Sequence, residues 1–148
     1  MYLFAVLLLN GPMGVPQPWL DKKAFMEEAY QQAASAGATH EEIIRLKQIA
    51  YGESRGNPRV CVLGGCGAFQ HEIHTLVPRR LRKLRFAHRV VKWLLTNSPR
   101  YAGTTALDLL QRCEALSGEH WRCCYGGAYR PSCRVKWDQR FRETFESE

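Results

Sequence analysis

Apolar residues recur at helical spacing in the first part of the chain and predict two α-helices there. The first helix covers about 21–36 and ends at Gly37, a residue that suits the left-handed turn after a helix. The second begins at Thr39, which is followed three residues later by Glu42 in the pattern of a capping box, and it ends near Gly52. The apolar faces of these helices carry Phe25, Ala29, Ala33 and Ala36, and then Ile43, Leu46, Ile49 and Ala50.

The rest of the chain predicts further helices around a turn-rich centre. Apolar spacing indicates a third helix over about 79–95, a fourth over about 105–116 and a closing helix over about 135–145. Residues 55–70 are rich in glycine and predict loops or a short hairpin, and 121–137 is also turn-rich. The expected fold is therefore mainly α, with a small β-hairpin or irregular region in the middle.

The N-terminal 18 residues have a different composition. An apolar run of eight residues, 2–9, resembles the core of an export signal, but no Lys or Arg precedes it and no small-residue cleavage site follows it. It is too short to span a bilayer, so we expect no stable membrane span. Residues 10–18 contain three Pro and two Gly and predict a linker. We therefore expect a signal-like segment and linker over 1–18 and one folded domain over 19–148.

Six cysteines, an even number in Gly-containing sequence, favour disulfides and an oxidising compartment. Six cysteines allow 15 pairings, of which the local pair Cys61–Cys66 is the first expectation. A zinc site formed by Cys61, Cys66, His71 and His74 is the alternative, although its spacing fits structural zinc ligands poorly. We expect a secreted, periplasmic or virion-associated protein with a disulfide-stapled fold.

The charge balance points to an anionic partner. The chain has 148 residues, with 21 Lys and Arg against 14 Asp and Glu, for a net charge of +7. Nucleic acid, an acidic membrane surface and a bacterial wall would all suit this charge. Arg79–Arg85 is basic, but its apolar residues have helical spacing, so its charges are expected on a solvated helix face. We therefore expect no specific nucleic-acid binding.

The second helix delivers a carboxyl group, that of Glu53, to its C-terminal end. The helix dipole presents partial negative charge at this end, which favours the protonated carboxyl group that a general acid needs. Three short motifs follow Glu53-Ser54 in order along the chain: Asn57-Pro58, Gly67-Ala68-Phe69-Gln70 and Tyr125-Gly126-Gly127. In this order and spacing, the sequence over about 41–130 resembles the soluble-type lytic transglycosylases and their relatives in the goose-type lysozyme superfamily.

The resemblance implies a lysozyme-like α+β fold and a role for each matching position. Glu53 is the acid/base, and Ser54 bonds backbone or substrate close to it. Gln70 lines the cleft floor, and Tyr125 leans toward Glu53 from the opposite wall. Two features depart from the family pattern: Gly126 stands where an Asn usually follows the tyrosine, and the motif loop carries Cys61 and Cys66.

The function implied is cleavage of the β-1,4 bond between N-acetylmuramic acid and N-acetylglucosamine in peptidoglycan. A transglycosylase uses one carboxyl group and forms 1,6-anhydro sugars. Glu72 lies two positions after Gln70, where the goose-type lysozymes carry an acidic residue that places water, so hydrolysis is an alternative. A second alternative is an inactive, secreted basic binding module on the same scaffold. We expect a monomer that needs no metal and no organic cofactor.

Overall fold

The computed structural model describes residues 20–117, which form a mainly helical structure with one small sheet. The elements, in chain order, are α1 (Lys22–Ser35), α2 (His40–Ser54), β1 (Cys61–Val62), β2 (Gly65–Cys66), β3 (His71–Glu72), α3 (Ile73–Leu76), a 3₁₀ turn (Arg79–Leu81), α4 (Arg85–Asn97) and α5 (Pro99–Ser117). The expectations for 1–18, Tyr125, the turn-rich stretch 121–137 and the closing helix 135–145 lie outside the described residues.

The caps of the first two helices confirm their predicted starts. The Asp21 carboxylate accepts a hydrogen bond from the Ala24 N–H at 2.7 Å. Thr39 and Glu42 form both bonds of the capping box, each side chain accepting from the backbone N–H of the other residue. Gly37, with φ +105°, follows the end of α1 as expected. The second helix is longer than predicted, because it continues to Ser54 and so includes Glu53 in its last turn.

The prediction of one helix over 79–95 is wrong in its first half. A 3₁₀ turn covers Arg79–Leu81, Leu84 is extended, and α4 begins only at Arg85. The Arg82 carbonyl, which would accept a backbone N–H in a continuous helix, instead accepts from the His88 ring at 2.7 Å. Long-range packing of Leu81, 6 % exposed, holds the turn in place, and a periodicity argument does not detect such a break.

The fourth predicted helix begins six residues earlier than expected, at Pro99. The Ser98 hydroxyl accepts from the Tyr101 N–H at 3.1 Å, so Ser98 caps the helix and Pro99 takes its first position, where a missing N–H costs nothing. The Ser-Pro pair was the sequence signal for this start. Later in the helix, Leu107, Leu110 and Cys113 are buried.

Two groups of buried side chains hold the described structure together. One lies where α1 packs on α2 and contains Phe25, Ala29, Leu46, Ile49 and Phe69 among its fully buried members. The other surrounds α4 and contains Cys66, Val77, Leu81, Ala87, Val90, Val91, Leu94, Leu95 and Tyr101. The chain divides into two units between Ala106 and Leu107, and both groups belong to the first unit. Among residues 20–117, no helix has the length and apolar content that crossing a bilayer requires.

Candidate active site

The register of the three-stranded antiparallel sheet sorts its residues into two rows. Val62 and Glu72 both lie opposite Gly65, while Cys61 and His71 both lie opposite Cys66. Directly opposed residues in antiparallel strands point to the same face, so each row belongs to one face of the sheet. Cys66 and His71 are buried, whereas Val62 and Glu72 are exposed. The first row therefore faces solvent, and the second faces the core at Cys66 and His71, while Cys61 at its edge is exposed.

An open cleft of about 440 Å³ lies over the solvent-facing row. It is lined by Glu53, Val62, Leu63, Gly65, Gln70 and Glu72. Three residues that the sequence singled out, Glu53, Gln70 and Glu72, thus share one cleft although 19 positions separate the first from the last. The cleft thus offers two carboxyl groups and one amide for hydrogen bonds, beside the apolar Val62 and Leu63. An open cleft of this composition suits a polar, chain-like ligand.

Glu53 reaches the cleft from the last turn of α2 and is half-buried. The helix ends because Arg55 adopts the left-handed conformation, φ +57°, and its N–H bonds to the Tyr51 carbonyl at 3.1 Å. The Arg55 guanidinium lies 4.4 Å from the centre of the Tyr51 ring, a cation–π contact over the same turn. The helix turn that carries Glu53 is therefore stabilised by two contacts between Arg55 and Tyr51, one through the backbone and one through the side chains.

Ser54 connects the end of α2 to the Gly67–Gln70 turn. Its hydroxyl lies 2.7 Å from the Ala68 carbonyl and 3.1 Å from the Ala50 carbonyl, and it accepts from the Asn57 N–H at 3.1 Å. These contacts use the hydroxyl within the protein, and Ser54 is not among the residues that line the cleft. Ser54 was expected to bond either to the backbone or to the substrate, and in the structure it bonds to the backbone.

Gln70 lies at the floor of the cleft in the left-handed conformation, with φ +49°. Its side-chain amide nitrogen donates to the Val60 carbonyl at 2.9 Å and to the Gly67 carbonyl at 2.8 Å. Both amide hydrogens are therefore used to hold the side chain against the turn. The side-chain oxygen Oε1 lies 3.2 Å from the position that a Cβ on Gly65 would take, so a larger residue at position 65 would press on Gln70.

Beneath the sheet, the core-facing row packs on aromatic side chains. The Phe69 ring stacks on His71 with 5.7 Å between centroids and meets Tyr30 edge to face at 6.5 Å. Burial lowers the pKa of His71 to about 3, because the charged imidazolium is poorly solvated there. Burial also raises the pKa of Tyr30 above its usual value. Both groups stay neutral near pH 7 and form a rigid support for the cleft.

The expected Cys61–Cys66 disulfide is present and bridges β1 and β2, with 4.1 Å between the two Cα atoms. The bond consumes both sulfur atoms, so the alternative zinc site at these cysteines is wrong. Cys113 is also disulfide-bonded. Within 20–117, no three His, Cys, Asp or Glu side chains are grouped so that they could hold a metal ion.

Sequence reasoning identified the polar residues of the cleft and missed its apolar wall. Val62 and Leu63 line it, and Leu63 and Gly64 form the two-residue turn between β1 and β2 with φ of +51° and +85°. Positive φ at both positions defines a type I′ hairpin turn, whose sequence signal is a glycine at the second position. Tyr125, the fourth residue of the predicted site, lies outside the described residues.

Comparisons of this chain with protein-family models, with curated proteins and with solved structures found no match.

Proposed function

We propose that this protein cleaves the glycan strand of peptidoglycan between N-acetylmuramic acid and N-acetylglucosamine, with Glu53 as its acid/base. The observation that carries the proposal is the placement of Glu53 in one open cleft with Gln70 and Glu72. The motif resemblance is independent support, because it depends on the order of residues in the chain and not on the cleft. The net charge of +7 suits a wall rich in carboxylates and phosphates.

The reaction begins with proton transfer. Glu53 donates its proton to the glycosidic oxygen, the bond to the muramic acid C1 breaks, and positive charge develops at that carbon. The substrate's own acetamido group stabilises this charge, so the protein needs no second carboxylate as a nucleophile. The Glu53 carboxylate then accepts the proton of the muramic acid 6-hydroxyl, whose oxygen attacks C1. The product is a 1,6-anhydro sugar, and Glu53 is protonated again.

In this reaction, Gln70 orients the substrate. Because its amide nitrogen is bound to the Val60 and Gly67 carbonyls, the orientation of the side chain is set before the substrate arrives. A preorganised oxygen at the cleft floor is able to accept a hydrogen bond from the N–H of an N-acetyl group. This contact orients the acetamido group that stabilises the developing charge.

Hydrolysis by a lysozyme-type mechanism is the second candidate, and the placement of Glu72 favours it. Glu72 lines the same cleft as Glu53 and is exposed, so its carboxylate is accessible to water. A general base must also be held in position to activate water. Glu72 lies at the end of a two-residue strand, whereas Glu53 belongs to a capped helix end that Ser54 connects to the Gly67–Gln70 turn. This difference ranks transglycosylation first.

The experiment is digestion of purified sacculi followed by mass spectrometry of the released muropeptides. The wild type is expected to release 1,6-anhydro products, which are one water lighter than reducing-end products. Glu53→Gln is expected to abolish cleavage, because an amide N–H is far too weak an acid to protonate the leaving oxygen. Glu72→Gln is expected to have only a mild effect. Glu28→Gln is the control, since Glu28 is half-buried on α1 and lies outside the cleft lining.

Each other outcome identifies a different function. Reducing-end products, together with strongly impaired Glu72→Gln, would establish the lysozyme-type hydrolase. Binding of sacculi without any cleavage, equal in wild type and Glu53→Gln, would establish the inactive binding module. Cleavage that persists in Glu53→Gln would contradict the assignment of the acid/base.

A further inference from the structure

A second cavity, of about 320 Å³, adjoins the cleft over Glu53. Its lining includes Ile73, His74, His88, Arg89 and Lys92, and we call it the basic cavity. Leu63 and Glu72 line both the basic cavity and the cleft, so the two spaces share a wall made by the hairpin tip and the end of β3. A polymer bound in the cleft therefore passes directly beside the basic cavity.

Helix α4 supplies the charge of the basic cavity. Arg89 and Lys92, three positions apart, are adjacent on the helix surface, and both are exposed. Within 20–117, neither cation forms an ion pair with an acidic side chain. The carboxylate of Glu72 is the acidic group among the lining residues, so two cations face one anion. The cavity keeps a positive balance that suits a carboxylate ligand.

Besides the two cations, the lining of the basic cavity includes two stacked histidine rings and an apolar side chain. Two histidine rings stack there, His74 on α3 and His88 on α4, with 6.0 Å between centroids and 24° between planes. The Arg82 carbonyl can only accept, so the His88 Nε2–H donates to it at 2.7 Å and fixes the ring. Ile73 adds an apolar surface to the lining. Cations beside a flat, partly apolar wall match a short peptide with free carboxyl groups.

We propose that the basic cavity binds the stem peptide that the muramic acid residue carries, so that the enzyme prefers peptide-bearing strands over bare glycan. The inference rests on the proposed function, because the occupant of the neighbouring cleft is taken to be the glycan strand. A stem peptide leaves the lactyl group of muramic acid and extends by roughly 3.3 Å per residue, so a few residues suffice to pass Leu63 and Glu72, which line both spaces. Its carboxylates meet Arg89 and Lys92 on the far side.

Kinetics on two forms of the same wall test this preference. Intact sacculi carry stem peptides, and sacculi treated with an amidase keep the glycan and lose the peptides. The wild type is expected to have a KM roughly threefold to tenfold lower for the peptide-bearing form, the size of effect that two partly exposed ion pairs produce. Arg89→Ala/Lys92→Ala is expected to lose this difference, with kcat unchanged and activity on stripped glycan unchanged.

The matched control is Lys22→Ala/Lys23→Ala, which removes the same charge from two exposed positions at the start of α1. An equal loss in this control would show that overall charge, and not the basic cavity, attracts the wall. A preference that persists in Arg89→Ala/Lys92→Ala would overturn the proposal. A preference that disappears when wall phosphate polymers, and not peptides, are removed would also overturn it and identify phosphate as the ligand.

A binding measurement separates failure of this inference from failure of the proposed function. A soluble muramyl tetrapeptide is titrated into the protein while the ring signals of His74 and His88 are followed by NMR. Saturable shifts in the wild type that are lost in Arg89→Ala/Lys92→Ala would support the basic cavity as a peptide site even if no sacculi are cleaved. Absence of shifts, or equal shifts in both proteins, would contradict the inference even if cleavage is observed.

Discussion

At the residue scale, one hydroxyl group joins the two motifs that carry the site. Ser54 follows Glu53 directly, and its Oγ lies 2.7 Å from the carbonyl of Ala68, inside the Gly67–Gln70 turn. The position of the cleft floor relative to the α2 end therefore depends on a single short bond. This contact explains why a serine next to the catalytic candidate is useful although it lines no part of the cleft.

We expect Ser54→Ala to destabilise the protein and to slow cleavage. The variant leaves the Ala68 carbonyl without this partner, which costs about 1–3 kcal/mol for a group of this kind, whereas the Asn57 N–H keeps its bond to the Ser54 backbone carbonyl. Chemical denaturation measures the free energy of unfolding, and digestion of sacculi measures activity. Thr96→Ala is the control, because its hydroxyl bonds only to carbonyls and an amide of its own helix region and its loss is expected to cost less than about 0.5 kcal/mol. Equal stability of the two variants would contradict the bridging role of Ser54.

The buried His71 predicts how stability depends on pH. Its pKa is about 3 in the folded protein and near 6.5 when unfolded, so between these values the unfolded chain binds a proton that the folded chain does not. Stability therefore falls as pH falls through this window, by up to about 1.4 kcal/mol per pH unit from this group. Denaturation experiments at several pH values give the free energy of unfolding between pH 7 and about 4. Over this range it should fall less steeply in His71→Phe than in the wild type. An equally steep fall in both proteins would show that His71 is not the group responsible.

At the scale of elements, α1 and α5 approach each other so closely that one position must be glycine. A Cβ on Gly103 would clash with the backbone carbonyl oxygen of Ala29, and a backbone atom cannot move aside as a side chain can. The small residues Ala29 on α1 and Gly103 on α5 thus allow the two helices to pack with little space between their backbones.

We expect Gly103→Ala to destabilise the protein by about 1–3 kcal/mol or more, although alanine is the better helix former. Thermal unfolding followed by circular dichroism measures the effect as a lowered Tm. Arg100→Ala, at an exposed position of the same helix, is the control and is expected to change stability by less than about 0.5 kcal/mol. A Gly103→Ala variant as stable as Arg100→Ala would mean that α1 and α5 are less closely packed than described.

The hairpin between β1 and β2 is a second element with an unusual conformation. Leu63 has φ +51°, a region that non-glycine residues rarely adopt, and its side chain is fully exposed between the cleft and the basic cavity. The Cys61–Cys66 disulfide closes the hairpin at its base, and β3 pairs along its other side. These constraints hold an apolar residue at the rim of the cleft, where contact with a sugar ring is expected.

At the scale of the whole molecule, the excess of basic residues predicts how the protein meets its substrate. The net charge of +7 attracts an anionic wall over a distance set by the Debye length, about 10 Å at 0.1 M salt and about 3 Å at 1 M. Within the described part, Arg79, Arg80, Lys83 and Arg85 are exposed, as expected for solvated charges, although a turn and not a helix carries the first two.

We therefore expect cleavage of sacculi to slow as salt is raised from about 0.05 to about 0.5 M, through weaker encounter and not through slower chemistry. Initial rates at several salt concentrations measure the effect. Peptide-free glycan whose lactyl carboxyl groups have been converted to amides is the uncharged control, because its cleavage should change little over the same range. A salt dependence that is equal for charged and uncharged substrate would show that salt acts on the enzyme itself.

Local features of the sequence were enough to predict much of the described fold. Caps and glycines act within one or two helical turns, so Thr39 and Glu42 predicted the start of α2 and Gly37 predicted the end of α1 correctly. Cysteines five positions apart around a glycine pair likewise allowed the Cys61–Cys66 bond to be anticipated. Among the site residues, Glu53, Gln70 and Glu72 follow from motif order alone, which does not require that they be close in space.

Other features depended on contacts between residues distant in the chain. Helix α4 starts at Arg85 because Leu81 is buried and His88 binds the Arg82 carbonyl, and neither event is encoded in hydrophobic periodicity. The shared cleft depends on sheet register, since a shift by one residue would turn Glu72 toward the core and His71 toward solvent. Local interactions thus determined which segments are helices and turns, whereas packing and register decided which side chains meet, because only they relate residues across the fold.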